Sequence, residues 1–186
     1  MLASNRKTVV WLALFSAIAC SVPAHRSEAV SAARIDADVR ATLSNFFRDV
    51  RGSRELVRNA AAVLVFPSVI KAGIGIGGEY GEGALLTRDR TLDYYNLVSA
   101  SIGFQLGAQA RSVIIVFMTE EALVGFQRVY GWKVGVDASV AIITVGVGGS
   151  IDTSRIASPI VGFIFDGKGL MYNLTLEGSK ISRISR

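Results

Sequence analysis

Apolar and polar positions follow three different rhythms along this chain. Residues 9 to 19 are apolar except for Ser16, and Arg6 and Lys7 stand ahead of them. From Ser31 to Val50 the apolar residues Ile35, Val39, Leu43, Phe46 and Val50 recur at spacings of 4, 4, 3 and 4, which is one face of a helix. Gly52 stands where a C-terminal cap belongs, and Ser53 is placed to cap a short second helix over Arg54 to Ala60, with Glu55 near its positive end.

Beyond that point the period becomes strand-like. Ala62 to Phe66 is a short apolar run stopped by Pro67, and Lys71 to Gly78 alternates Gly with Ile. On a strand, such alternation gives one apolar face and one bare face against which another backbone can pack. Ala84 to Thr87 and Leu92 to Ala100 flank a polar Arg88-Asp89-Arg90 turn and predict a hairpin. Ser101 to Gln109 alternates again, and Val113 to Met118 reads as a buried strand. Thr119 caps a helix with Glu120 and Glu121 in its first turn and Ala122, Leu123 and Phe126 inward. Strands resume over Lys133 to Val147, with Gly148-Gly149 as a hairpin signal before a strand from Ser150 to Arg155. A last hairpin is expected from Gly162 to Phe165, a turn over Asp166 to Gly169, and Leu170 to Glu177. No internal repeat or interior linker interrupts residues 31–186. They predict one α+β domain: a dominant antiparallel sheet, sandwich- or barrel-like, with an N-terminal amphipathic helix and one or two short helices.

The first apolar run is an address rather than a structural element. A basic start, an apolar stretch and small residues at its end make a secretory signal over residues 1–19. The run is shorter than the roughly 20 residues needed to span a bilayer core. Ala17-Ile18-Ala19-Cys20 is similar to a bacterial lipobox, with Ala17 in place of the usual Leu. Cleavage after Ala19 without lipidation, or after Ala24, remains open on the residues alone. The only Cys of the chain, at the end of the apolar stretch, favours acylation there. Cys20 is therefore the expected lipidation site and residues 20–30 a tether. The expected location is the periplasm, on a membrane anchor.

Composition narrows the chemistry further. One His and one Cys in 186 residues exclude a disulfide framework and nearly every zinc site, and no metal or cofactor is expected. His25 lies beside the processed segment, so Ser-His-Asp and Cys-His catalysis have no base. Gly73-x-Gly75-x-x-Gly78 spells a dinucleotide motif, but Glu79-Tyr80-Gly81-Glu82-Gly83 follows where a helix should open, and its carboxylates repel phosphate. Gly162-x-x-x-x-Gly167-Lys168 lacks the Ser or Thr of a phosphate loop. Glu79 and Glu82 are read as turn carboxylates on a glycine-rich stretch, and no enzyme is expected. Removal of Arg6 and Lys7 lowers Lys+Arg from 20 to 18 against 15 acidic residues, a net charge of +3. That balance gives no nucleic-acid signature.

What remains is a basic stripe. Arg40, Arg48, Arg51, Arg54 and Arg58 make the N-terminal segment the most arginine-dense part of the chain. Arg51, Arg54 and Arg58 share a face only if the helix continues through Gly52, which the capping signals oppose. Contact with an anionic lipid surface is the sharper use of such a stripe, at about 1 kcal/mol per basic residue. Lys180, Arg183 and Arg186 join it only if the fold brings the ends together.

Several motifs in a fixed order carry a resemblance. They are Val65-Phe66-Pro67, Lys71-Ala72-Gly73, Gly75 to Gly83, Tyr94-Tyr95, Ser101 to Gln109, Gly131-Trp132-x-x-Gly135-x-Asp137-Ala138 and Leu176 to Ile181. Together the chain resembles the SYLF domain family, known for lipid-binding and actin-binding members and for exported bacterial ones. The resemblance implies a non-enzymatic domain for phosphoinositides or other anionic phospholipids. It also implies lipid contact by the basic N-terminal helical region, here Arg40 to Arg58. Actin is not the expected partner of an exported bacterial chain. The alternative is a structural or protein-binding module of the envelope, marked by an exposed apolar patch for which Tyr80, Tyr94, Tyr95 and Trp132 are candidates. The size of Trp132 favours packing over a site.

Overall fold

A computed structural model describes residues 31–186 except 89, 146–147, 153–155 and 166–175. The leader, Cys20, the tether and the expected turn at Asp166 to Gly169 lie outside the described residues. The order is α1 (Ala32–Asp49), α2 (Ser53–Asn59), β1 (Ala62–Thr87), β2 (Arg90–Phe117), α3 (Glu120–Arg128), β3 (Trp132–Lys133), β4 (Ala141–Val145), β5 (Ile160–Phe165) and β6 (Lys180–Ile184). The α+β class with a dominant, curled sheet is as expected.

The helices form where the periodicity places them. Ser31 caps α1, its hydroxyl accepting from the Arg34 N–H, and Ile35, Val39, Leu43 and Phe46 are buried along one side. Thr119 caps α3 through the Ala122 N–H, and Leu123 and Phe126 face inward. The cap of α2 is corrected. Gly52, not Ser53, is the N-cap, and the buried Ser53 hydroxyl instead donates to the carbonyls of Phe46 and Val50.

The strands differ more. The short segments expected between Ala62 and Met118 merge into two long antiparallel strands, β1 and β2, joined at Thr87 and Arg90. Pro67 does not end β1. The pairing slips between Phe66 and Val69, and among the described strands β1 pairs with β2 alone, so a residue lacking an N–H is tolerated there. Twenty-six residues in a straight strand would reach about 85 Å. β1 curls instead, with irregularities at Gly73/Gly75 and Leu85/Leu86, until its own ends touch. A Cβ on Gly81 would stand 2.8 Å from the Ser68 carbonyl oxygen, and one on Gly83 would run into that of Val65. The close approach of the strand's own backbone thus falls at Gly81 and Gly83, beyond the Lys71–Gly78 stretch where the sequence placed the bare face.

The described strands form a six-stranded sheet ordered β3-β6-β2-β5-β4, with β1 pairing β2, curled into a half-barrel. β4 and β5 run parallel, while the other named strand pairs among the described residues are antiparallel. The Gly148-Gly149 hairpin is also corrected. Arg51 donates its N–H to the Gly149 carbonyl and accepts from Ile151, so this segment pairs with the α1–α2 corner rather than folding back on β4.

Both faces of the sheet are covered, which explains apolar runs without alternation. On one face, Val63, Val65, Ile114 and Val116 pack under Ile35, Val39, Leu43 and Phe46 of α1. On the other, Leu64, Phe66, Ile115 and Phe117 meet Leu123, Phe126 and Trp132. No described helix is long and apolar enough to cross a membrane.

Candidate functional site

Pairing divides the arginines into two groups. Arg48 forms a two-pronged contact with Asp49 at 2.7 and 2.9 Å, which lifts its pKa above the ordinary value. Arg34 lies 3.9 Å from Asp38, Arg183 meets Asp93 at 3.0 Å, and Arg186 meets Glu82. Among the described residues, no carboxylate pairs with Arg40, Arg51, Arg54, Arg58, Arg88, Arg90 or Arg128, and all seven are exposed. Of the five arginines singled out from sequence, Arg48 is thus neutralised and four carry free charge.

The helix does break at Gly52, yet Arg51, Arg54 and Arg58 still come together. Gly52 has φ +83°, and a Cβ there would stand 2.5 Å from the Ile151 carbonyl oxygen. Only glycine takes this left-handed, crowded position at little cost. The resulting corner sets α2 beside the end of α1, so that Arg51, Arg54 and Arg58 line one shallow depression with Phe47 and the exposed Glu55. The Arg54 guanidinium carbon lies 4.7 Å over the Phe47 ring centroid, a cation–π contact that holds the side chain at the surface. Arg40 and Arg48 do not line this depression. Lys180 lies against Gly131, while Arg183 and Arg186 are occupied by acids, so the C-terminal cations add no free arginine to the stripe.

Beside the depression opens a cavity of about 350 Å³. Leu43 and Phe47 of α1, Val57 of α2 and Val63 and Leu86 of β1 form its walls. Three successive alanines, 60 to 62, leave the space unfilled, and Arg54, Arg58 and Arg88 stand among the lining residues. Arg88 comes from the tip of the β1–β2 hairpin, in a left-handed backbone conformation (φ 46°). The Thr87 hydroxyl donates to the Ala61 carbonyl at 2.7 Å and ties that tip to the start of β1. By its sequence neighbours Arg88 is a polar turn residue. Its distance along the chain from Arg58 hides their spatial association.

The two glutamates are not turn residues. Glu79 is buried in β1, with the Arg111 guanidinium 2.5 Å from Oε2 and the Lys71 ammonium 3.6 Å from Oε1. Burial pulls the Arg111 pKa below its ordinary value, and Glu79 pulls it back up. Glu82 accepts from the Tyr80 hydroxyl at 2.6 Å and from Arg186. Both carboxylates are engaged in ion pairs. The glycine motif from Gly73 to Gly78 is strand, and no helix opens behind it. Among the described residues no group of three His, Cys, Asp or Glu could hold a metal.

The aromatic candidates separate as well. Tyr95 and Trp132 are core residues, Trp132 meeting Phe126 edge-on at 5.4 Å. Tyr94 is half-buried and donates to Asp36 at 3.2 Å, and Tyr80 alone is half exposed. The prominent exposed apolar residues are Tyr130 at 85% and Val136 at 71%, which sequence reading did not single out.

Residues 98–185 match the family model described as Las17-binding protein actin regulator, Ysc84. That model describes the SYLF domain family that the sequence resembles, and the match spans just under half the chain. The α1–α2 corner and Arg88 lie outside the matched segment. No curated protein matches the chain.

Proposed function

We propose that this SYLF-domain protein is a non-enzymatic module of the bacterial envelope that binds anionic phospholipid through the α1–α2 corner. SYLF is a family of lipid- and actin-binding domains, so a binding role is the general expectation. The observation that carries the finer reading is the set of unpaired, exposed arginines at one corner, when most other described arginines have been given a carboxylate. Arg51, Arg54 and Arg58 meet a headgroup surface there, with Arg40 further along α1. Export, acylation at Cys20 and a periplasmic location complete the proposal and rest on the leader sequence. Cardiolipin and phosphatidylglycerol are the headgroups such a location offers, and actin has no place in it.

Co-sedimentation with vesicles tests this reading. The protein pellets with phosphatidylglycerol vesicles and stays in solution with phosphatidylcholine. Replacing Arg51, Arg54 and Arg58 by Ala removes about 3 kcal/mol of attraction, roughly a hundredfold in affinity. Equal pelleting of the two proteins would overturn the assignment. A second reading, docking of a protein partner, is favoured by Tyr130 and Val136 exposed on either side of the buried Trp132 in sequence. Binding insensitive to both lipid charge and the arginines would favour it.

A further inference from the structure

We infer that the cavity between α1, α2 and the β1–β2 hairpin is a binding site for a single-chain anionic lipid, such as a fatty acid or lysophospholipid. The inference rests on the proposed arginine surface and assigns it a specific ligand. Three features point the same way. The walls are apolar, from Leu43, Val57, Val63 and Leu86, and the alanines at 60 to 62 hold the space open. The charged residues among its described lining are Arg54, Arg58 and Arg88, and no carboxylate among the described residues pairs with them. The volume of about 350 Å³ sits at the low end of small-molecule sites, which run from about 300 to 1,000 Å³. It suits one acyl chain and not the two chains of an intact phospholipid.

The geometry separates the two ends of such a ligand. An acyl chain against the alanines is removed from water, and the anionic head meets a fork of guanidinium donors. Arg88 is the part no continuous helical stripe could supply. The Thr87 hydroxyl on the Ala61 carbonyl fixes the hairpin tip at this place. Arg54, already stacked on Phe47, is partly ordered before a ligand arrives, which lowers the entropy lost on binding.

Calorimetric titration with lauroyl lysophosphatidylglycerol and with laurate, both below their micelle concentrations, tests the site. Glycerol phosphate (no chain) and lauroyl lysophosphatidylcholine (no net charge) are the controls. The expected result is saturable one-to-one binding of the two anionic lipids, with both controls at least about tenfold weaker. Ala60→Trp fills the cavity but keeps every arginine, so it abolishes this binding and leaves pelleting with phosphatidylglycerol vesicles intact. Arg88→Gly suits the left-handed backbone, keeps the fold and weakens the anionic lipids about tenfold. No saturable binding while vesicles still pellet would overturn the cavity and spare the surface reading. Loss of vesicle pelleting by the wild type would instead strike that reading. Lysolipid affinity unchanged in both variants, or glycerol phosphate binding as tightly as the lysolipid, would also overturn the acyl site.

Discussion

Glu79 illustrates what a single residue can and cannot disclose. Its neighbours in sequence are glycines, so it reads as a turn carboxylate, yet it sits between Arg111 and Lys71 inside the curled hairpin. The pairing depends on how β1 folds over, which no local pattern encodes. Glu79→Gln leaves Arg111 buried without its counter-charge. It destabilises the protein by about 3–5 kcal/mol, measurable by urea unfolding. Glu79→Leu combined with Arg111→Leu loses less than Glu79→Gln alone. Tyr95 makes a second residue-scale prediction. Burial raises its pKa, and Arg183 opposes the rise. A phenol whose folded pKa exceeds its unfolded value of about 10 favours folding fully below that value. Stability is therefore lost as pH climbs from about 10 through the raised pKa. Tyr95→Phe flattens this alkaline loss in thermal melts taken from about pH 8 to pH 11, and an unchanged slope would contradict the assignment.

At the scale of elements, the helices and the β1–β2 hairpin turn were legible, and the length and pairing of the strands were not. The spacing from Ile35 to Val50 locates α1 to within a residue, and all five of those positions are buried. Helical contacts repeat locally, so a short window contains their whole signal. The strands are long-range objects. Pro67 looks like a break because the pairing partner of its strand is distant, and the parallel β4–β5 pair is set by a crossover that leaves no local mark. Gly52 joins the two regimes. It was legible as a helix boundary, but its contact with Ile151 was not. Gly52→Ala must adopt φ +83° and crowd the Ile151 carbonyl, a loss of about 1–2 kcal/mol from the backbone alone. Thermal unfolding reads that loss. Because the corner also sets Arg51 beside Arg54 and Arg58, the same variant weakens vesicle binding more than its stability predicts at temperatures where it remains folded.

Across the whole molecule, the fold turns a sequence stripe into a selected surface. Sequence alone placed five arginines on one segment, and that much was visible. Which of them keep their charge was not, because Asp49 neutralises Arg48 while Arg54 goes to Phe47 and Arg58 to no partner among the described residues. The hairpin brings in Arg88 from the other side of the cavity, beyond any helical periodicity. The SYLF match over residues 98–185 covers much of the sheet and not this corner. The lipid reading therefore stands on the corner's own chemistry.

The most direct test compares paired with unpaired arginines inside one protein. Pelleting with phosphatidylglycerol vesicles is measured for wild type, Arg48→Ala, and Arg54→Ala combined with Arg58→Ala. Arg48→Ala also frees the Asp49 carboxylate, yet it removes a cation already neutralised and lying outside the depression, so its affinity stays within about threefold of wild type. The double variant falls about thirtyfold, the sum of two free charges at about 1 kcal/mol each. Equal losses in the two variants would mean that net charge alone drives binding and that the α1–α2 corner is not the site.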